Sequence, residues 1–258
     1  MKPIFFASIC FFTFYSYTNS NSVIKEKLSP FKELLINHTY AHHTWPSKKP
    51  KSRYYTLKKS FELFEKINGN IIVELGTTRS FMHGGLIGCN SDDASYWHPE
   101  EPADWDWGAG CFTLMTSICL EHLNAYIHTV DIEKKHIERC KIITNPFSKN
   151  ISYHVSSSEN FLRNFNEKID FLYIDTGDMT PIEKTAQLQL REAKIIIEKN
   201  LINDNGIILI DDVKNPTPKI YGETSDYGKA KYSLPYFLNH GFIIIENEYQ
   251  VLLQKKRN

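Results

Sequence analysis

No C-x-x-C pair occurs in the chain, so neither a zinc knuckle nor a dithiol redox motif is indicated. Charge of one sign is not in excess either: 30 lysines and arginines face 30 aspartates and glutamates. Binding along a phosphate backbone needs a positive surplus on at least one face, so nucleic acid is not the expected partner. The one basic patch, KKPKSR at 48–53, reads as a solvated linker face. Internal repeats and low-complexity tracts are missing, which sets aside solenoids and disordered tails. The apolar run at 4–14 is too short for a comfortable bilayer span.

What is present is a globular body, with 41% apolar residues over 258 positions. Residues 1–20, MKPIFFASICFFTFYSYTNS, have the layout of an export signal or anchor: Lys2, a short greasy run, then small or polar residues at Thr18, Asn19 and Ser20. The expectation is the secretory route, or membrane association through residues 4–15 alone, with a cytoplasmic chain as the alternative. Cleavage would leave four of the five cysteines, Cys89, Cys111, Cys119 and Cys140, which permits disulfides without demanding them. Residues 21–53 read as a polar N-terminal segment, whose His38, His42 and His43 are surface residues in this reading. Residues 54–258 form the main domain.

From Tyr54 the pattern turns periodic. Tyr54, Leu57, Phe61, Phe64 and Ile67 share one helical face, and Asn68-Gly69-Asn70 ends it. Strands are expected at 71–75, 126–131, 151–155, 170–175 and 207–210, with amphipathic helices between them. Ser156 and Glu159 make one capping box, and Thr180 and Glu183, around Pro181, make another. Asn205-Gly206 reads as a turn before the fifth strand. GFIIIENEYQVLLQK reads as two strands joined at about 246–248. Buried strands alternating with helices predict an α/β fold, doubly wound, with a mostly parallel seven-stranded sheet, a C-terminal antiparallel hairpin and helices on both faces.

Ligands of open α/β sheets sit outside the carboxyl ends of the strands. Those ends are acidic here: Glu74-Leu75-Gly76 after the first strand, Asp131 after the second, Asp175 after the fourth, and Asp211-Asp212 after the fifth. In this layout residues 54–256 resemble the class I S-adenosylmethionine-dependent methyltransferases. The family's first motif, an acid and a glycine turn, is matched by Glu74, Gly76, Thr77 and Thr78, although its third glycine position falls on Ser80. The family's second landmark, an acid holding the ribose hydroxyls, is matched by Asp131. Ser157 or Ser158 would face the adenine. The resemblance implies methyl transfer from S-adenosylmethionine to a small-molecule acceptor, an oxygen by preference. Glu74 and Asp131 lie 57 residues apart (131 − 74), where a simple nucleotide-binding unit separates its acids by about 20. The excess is an insertion at 81–110, carrying Trp97, Trp105 and Trp107, read as a lid over the substrate or as a surface excursion with its own small core.

YIDTGD and LIDDV are also similar to the metal-dependent small-molecule O-methyltransferases, which implies Mg²⁺ held by Asp175, Asp211 and Asp212. Such an ion would lower the acceptor's pKa. Without it a general base is needed, and Asp178 is the candidate, with Asp175 orienting the substrate. The lysine that serves near this point in the catechol enzyme is replaced here by Asp178. Two rivals stay open: a non-catalytic secreted protein that keeps the fold, and another nucleotide-dependent enzyme on a Rossmann-like sheet.

Overall fold

In a computed structural model of the chain, the described residues are 20–40, 49–77, 93–96, 100–105, 107, 111–179, 181–214 and 227–257. Residues 1–19, with the expected signal, and most of the insertion lie outside them. Seven strands form one sheet: β1 (Ile71–Leu75), β2 (Tyr126–Asp131), β3 (Ile151–Val155), β4 (Ile169–Ile174), β5 (Ile202–Ile210), β6 (Phe242–Asn247) and β7 (Val251–Lys255). Their order is β3-β2-β1-β4-β5-β7-β6. Only β7 runs against its neighbours, between β5 and β6. The expected doubly wound sheet with a terminal hairpin is therefore what forms.

Because successive strand residues point to opposite faces, each strand feeds two cores. Ile72, Phe171 and Ile207 pack under α1 (Ser20–Leu28), α2 (Lys32–Tyr40), α3 (Arg53–Lys66) and α4 (Phe112–Cys119). Their neighbours Val73, Leu172 and Ile208 pack under α6 (Ser158–Asn164), α7 (Ile182–Glu198) and α8 (Ser233–Asn239). A further helix, α5 (Lys134–Thr144), crosses from β2 to β3. Phe171 centres the first core, with ring centroids 5.3 Å from Phe112, 6.1 Å from Phe64 and 6.3 Å from Phe61.

Several local expectations shift. Before residue 54 the described stretch 20–40 is helical, and its Ile24, Leu28 and Leu35 are fully buried in the first core. Trp105 and Trp107 of the insertion are buried there too, stacked at 5.7 Å, with Phe31 at 5.4 Å from Trp107. For these two tryptophans a core role replaces the exposed face of a lid; Trp97 lies outside the described residues. Asn205-Gly206 is not a turn before β5 but an irregularity inside it. Asn205 takes the left-handed region (φ 64°) and the β4–β5 register slips between Ile169 and Phe171. The hairpin turn falls at 248–250.

The first capping box does not form, and Thr180 of the second lies outside the described residues. Ser157, not Ser156, caps α6, accepting from the Asn160 N–H at 3.3 Å, while Glu159 pairs with Arg191. Pro181 occupies the cap position of α7, and Glu183 instead accepts from Lys231 and Tyr232. Tertiary partners offer these carboxylates a charge-assisted bond, which outweighs a local backbone one. No helix among the described residues is long and apolar enough to cross a membrane.

Truncating Phe171→Ala should cost about 3–5 kcal/mol of unfolding free energy, because it empties the centre of a packed aromatic group. Urea unfolding of the variant against the wild type checks this.

Candidate functional site

The chain winds from β1 outward to β2 and β3, then returns to β4 on the other side of β1. The crevice of a doubly wound sheet opens at such a reversal, here between the tips of β1 and β4. Gly76 sits there with φ +88°, and a Cβ on it would lie 2.6 Å from the Asp175 carbonyl oxygen. Only glycine allows that approach. The Gly76 N–H bonds to the Val130 carbonyl at 2.8 Å, and the Thr77 N–H to Asp131 Oδ2 at 3.1 Å. The three tips of β1, β2 and β4 are thereby tied together. Thr78 lies outside the described residues.

Glu74 is fully buried. Its Oε2 accepts from the hydroxyls of Thr77 (3.0 Å), Thr129 (2.5 Å) and Thr113, while Oε1 has no partner among the described residues. Burial pushes the carboxyl up from 4.5 to about 7, against three threonine donors that hold it down. Three hydroxyls on one oxygen and none on the other is an uneven arrangement, and a buried orphan acceptor is costly until something donates to it.

Asp131 ends β2 as expected. Its Oδ1 accepts from the Glu133 N–H at 2.8 Å and lies 3.1 Å from His136 Nδ1; among the described residues Oδ2 accepts from Thr77 alone. A carboxylate offers about four acceptor positions, so Oδ2 keeps room for a hydroxyl. Beside it, Ile132 and Val155 are 66% and 55% exposed, although β2 and β3 pair directly at Asp131 and Val155. An apolar platform next to an acceptor is what a flat nucleobase on a ribose needs. The signal was in the sequence: an isoleucine directly after the acid. Ser157 is half-buried at this edge, its oxygen occupied as the α6 cap. Ser158 is turned inward, its hydroxyl donating to the buried Glu192.

Asp175, Asp211 and Asp212 do converge: one oxygen from each lies within 4.8 Å of the others. Two cations are already among them. Lys229 Nζ lies 3.0 Å from Asp175 Oδ1 and 2.8 Å from Asp212 Oδ2. Arg53 Nε contacts both Asp211 oxygens, at 3.1 and 3.0 Å, and Arg53 Nη2 reaches Asp212 Oδ1 at 2.7 Å. Tyr173 donates to Asp211 at 2.9 Å and Tyr249 to Asp212 at 2.8 Å. The Arg53 guanidinium also stands over the Tyr249 ring, 4.4 Å from its centroid. Burial opposes every one of these charges, and the pairing decides the outcome. Lys229 and Arg53 hold Asp212 below the usual carboxylate range, and the acids hold Lys229 and Arg53 well above theirs. Asp175 goes the other way: burial, with Asp211 and Asp212 beside it, raises it despite Lys229.

A divalent ion does not fit this donor set as placed. Five of the six carboxylate oxygens are committed to a cation or a hydroxyl. An ammonium about 4 Å from a dication would repel it by about 8 kcal/mol at the effective dielectric of a protein. The acids were legible in the sequence; their partners were not. Arg53 belongs to the stretch read as a solvated linker, yet it is 4% exposed. Lys229 follows Gly228, where a Cβ would lie 2.2 Å from the Asp212 carbonyl oxygen, so the glycine is what lets the lysine's backbone close on the β5 tip.

Asp178, the expected base, is exposed on the loop after β4, and its carbonyl accepts from Thr185 at 2.6 Å. Cavities of about 200 and 540 Å³ lie at the opposite, amino-terminal side of the strands, one beside Ile127 and Asn150, the other beside Asp170 and Asn203. Neither touches the acidic tips.

This combination, a reversal between β1 and β4 with the antiparallel β7 inserted before β6, defines a Rossmann-like methyltransferase fold. Solved structures agree. The chain is similar to the methyltransferase PaMTH1 of Podospora anserina, bound to S-adenosylhomocysteine, with 13% identity, 96% of this chain and 100% of that one covered, and a TM-score of 0.52. It is also similar to a proposed caffeoyl-CoA O-methyltransferase from Staphylococcus aureus, with 13% identity, 89% and 91% covered, and a TM-score of 0.51. No family model and no curated protein sequence matches the chain.

Glu74 gives a pH signature. With its carboxyl raised from 4.5 to about 7 in the native state, the contribution of Glu74 to stability is fully present below pH 4.5 and is lost as pH rises through about 7. The loss from this one buried group is about 3 kcal/mol. Glu74→Gln should remove that part of the decline, read as a smaller difference in urea midpoint between the two ends of the window.

Proposed function

We propose that the domain binds S-adenosylmethionine at the tips of β1 and β2 and transfers its methyl group to an oxygen of a small molecule. The observation that carries this reading is the junction at Gly76. A residue without Cβ is pressed against the Asp175 carbonyl, a buried Glu74 oxygen has no donor among the described residues, and Asp131 Oδ2 has room for a further donor beside Thr77. Those features suit a ligand carrying an ammonium at one end and ribose hydroxyls at the other. Glu74, Gly76 and Thr77 would hold the amino-acid end, Asp131 the ribose, and Ile132 with the Ser157 edge the base.

The cofactor supplies a methyl group on a sulfonium, a leaving group already activated. The protein is left with alignment and with removal of one proton. With the methyl group supplied by the bound cofactor, Asp178 would take up the proton that the acceptor oxygen gives up. Asp178 is exposed and stands three residues beyond Asp175, so it can meet a substrate entering over β4. Asp175, tied to Lys229, orients instead of abstracting. The balanced net charge supports a small molecule over nucleic acid.

S-adenosylhomocysteine at about a hundred times its Kd should raise the melting temperature by about 5–10 °C. Asp131→Ala should weaken its binding by about tenfold to a hundredfold, since a bond to a charged acceptor is lost. No shift in the wild type would end this reading in favour of a non-catalytic domain or a different nucleotide. Asp178→Asn should leave S-adenosylhomocysteine binding intact and lower kcat by about 10²–10⁴, the range for a general base. Single-turnover rates for that variant give the comparison.

A further inference from the structure

We infer that the Lys229 ammonium is the resident cation of the Asp175, Asp211 and Asp212 cluster, occupying the place a divalent ion would take and making this domain independent of metal there. Three carboxylates at the tips of β4 and β5 share ligand atoms within 4.8 Å, a spacing one hard cation could bridge. The chain itself bridges it. Lys229 Nζ touches two of the three acids, at 3.0 and 2.8 Å, and Arg53 neutralises the third while sharing Asp212.

The placement is built rather than incidental. Lys229 is 3% exposed and lies in a 3-10 turn, Gly228–Ala230. That turn is held by its own N–H to the Asp212 carbonyl (3.3 Å) and by the Cβ-free contact of Gly228 on the same oxygen. Asp212 answers with a left-handed backbone (φ 52°), an uncommon conformation that turns its side chain into the cluster. Among the described residues, the charged and titratable groups at this cluster are Asp175 after β4, Asp211 and Asp212 after β5, Arg53 from α3, Tyr173 from β4 and Tyr249 from the hairpin. Among these described groups, three carboxylates face two cations, and each carboxylate touches at least one of them.

The inference concerns this cluster alone and stands whether or not methyl is transferred. Its test uses the full chain and Mn²⁺, an oxygen-ligated ion visible by electron paramagnetic resonance. The wild type should leave the signal of free Mn²⁺ undiminished, and neither Mg²⁺ nor a chelator should change its melting temperature. Lys229→Met keeps the apolar stem and removes the ammonium. It should melt about 10 °C lower, as for a broken buried ion pair, bind one Mn²⁺ per chain, and regain much of the lost melting temperature on adding it. Asp175→Asn in that background should abolish the binding. Mn²⁺ binding by the wild type that disappears in Asp175→Asn overturns the inference. So does a folded Lys229→Met chain that gains no Mn²⁺ site. Should Lys229→Met fail to fold, the wild-type titration and melting curves decide the matter by themselves. A wild type that Mg²⁺ stabilises is the overturning outcome there.

Discussion

Three carboxylates within one ion's reach of each other, one buried and two partly buried, must be neutralised before a sheet can close around them. The cost of an uncompensated buried charge, several kcal/mol even after relaxation, would otherwise consume much of the stability of a domain this size. Here the answer is drawn from four distant parts of the chain. Arg53 comes from the start of α3, Lys229 from the turn before α8, Tyr173 from within β4 and Tyr249 from the hairpin. The N-terminal helices, the parallel strands and the antiparallel hairpin are therefore stapled at one point. That point borders the crevice where β1 and β4 diverge.

Two buried acids on either side of the sheet follow a second strategy. Among the described residues Glu74 and Glu192 make no ion pair; hydroxyls serve them instead, Thr77, Thr113 and Thr129 for the first, Ser158 and Thr176 for the second. Burial raises both to about 7, so each holds its proton readily near neutrality. The tips of β4 and β5 are ionic, whereas the tip of β1 is hydroxyl-lined, with a Glu74 oxygen that has no donor among the described residues. This contrast separates a structural end of the crevice from an end with capacity for a ligand.

The N-terminal helices change how the first core is understood. Ile24, Leu28 and Leu35 cover α3 and α4, and Phe31 meets Trp107 of the insertion. A segment of polar average composition thus seals the core through a few apolar residues at helical spacing. The tryptophans at 105 and 107 are fixed by that packing, which gives the inserted stretch an anchor near its end.

The sequence by itself determined the strands, their parallel order in broad outline, the terminal hairpin and the acids at the tips. Each of these follows from local rules: β-branched runs, helical periodicity, turn residues and the chemistry of a strand end. Ile71–Leu75, Tyr126–Asp131 and Ile151–Val155 begin and end where their apolar pattern does. Only the tertiary structure decided what those acids meet. Arg53 stands 158 residues before Asp211, and Lys229 stands 54 after Asp175 across a loop. Nothing in a lysine-rich linker or a Tyr-Gly-Lys turn marks either residue as buried. The capping carboxylates Glu159 and Glu183 went astray for the same reason. A charged side chain answers to the strongest opposite charge within reach, and reach is a property of the folded chain, not of sequence distance.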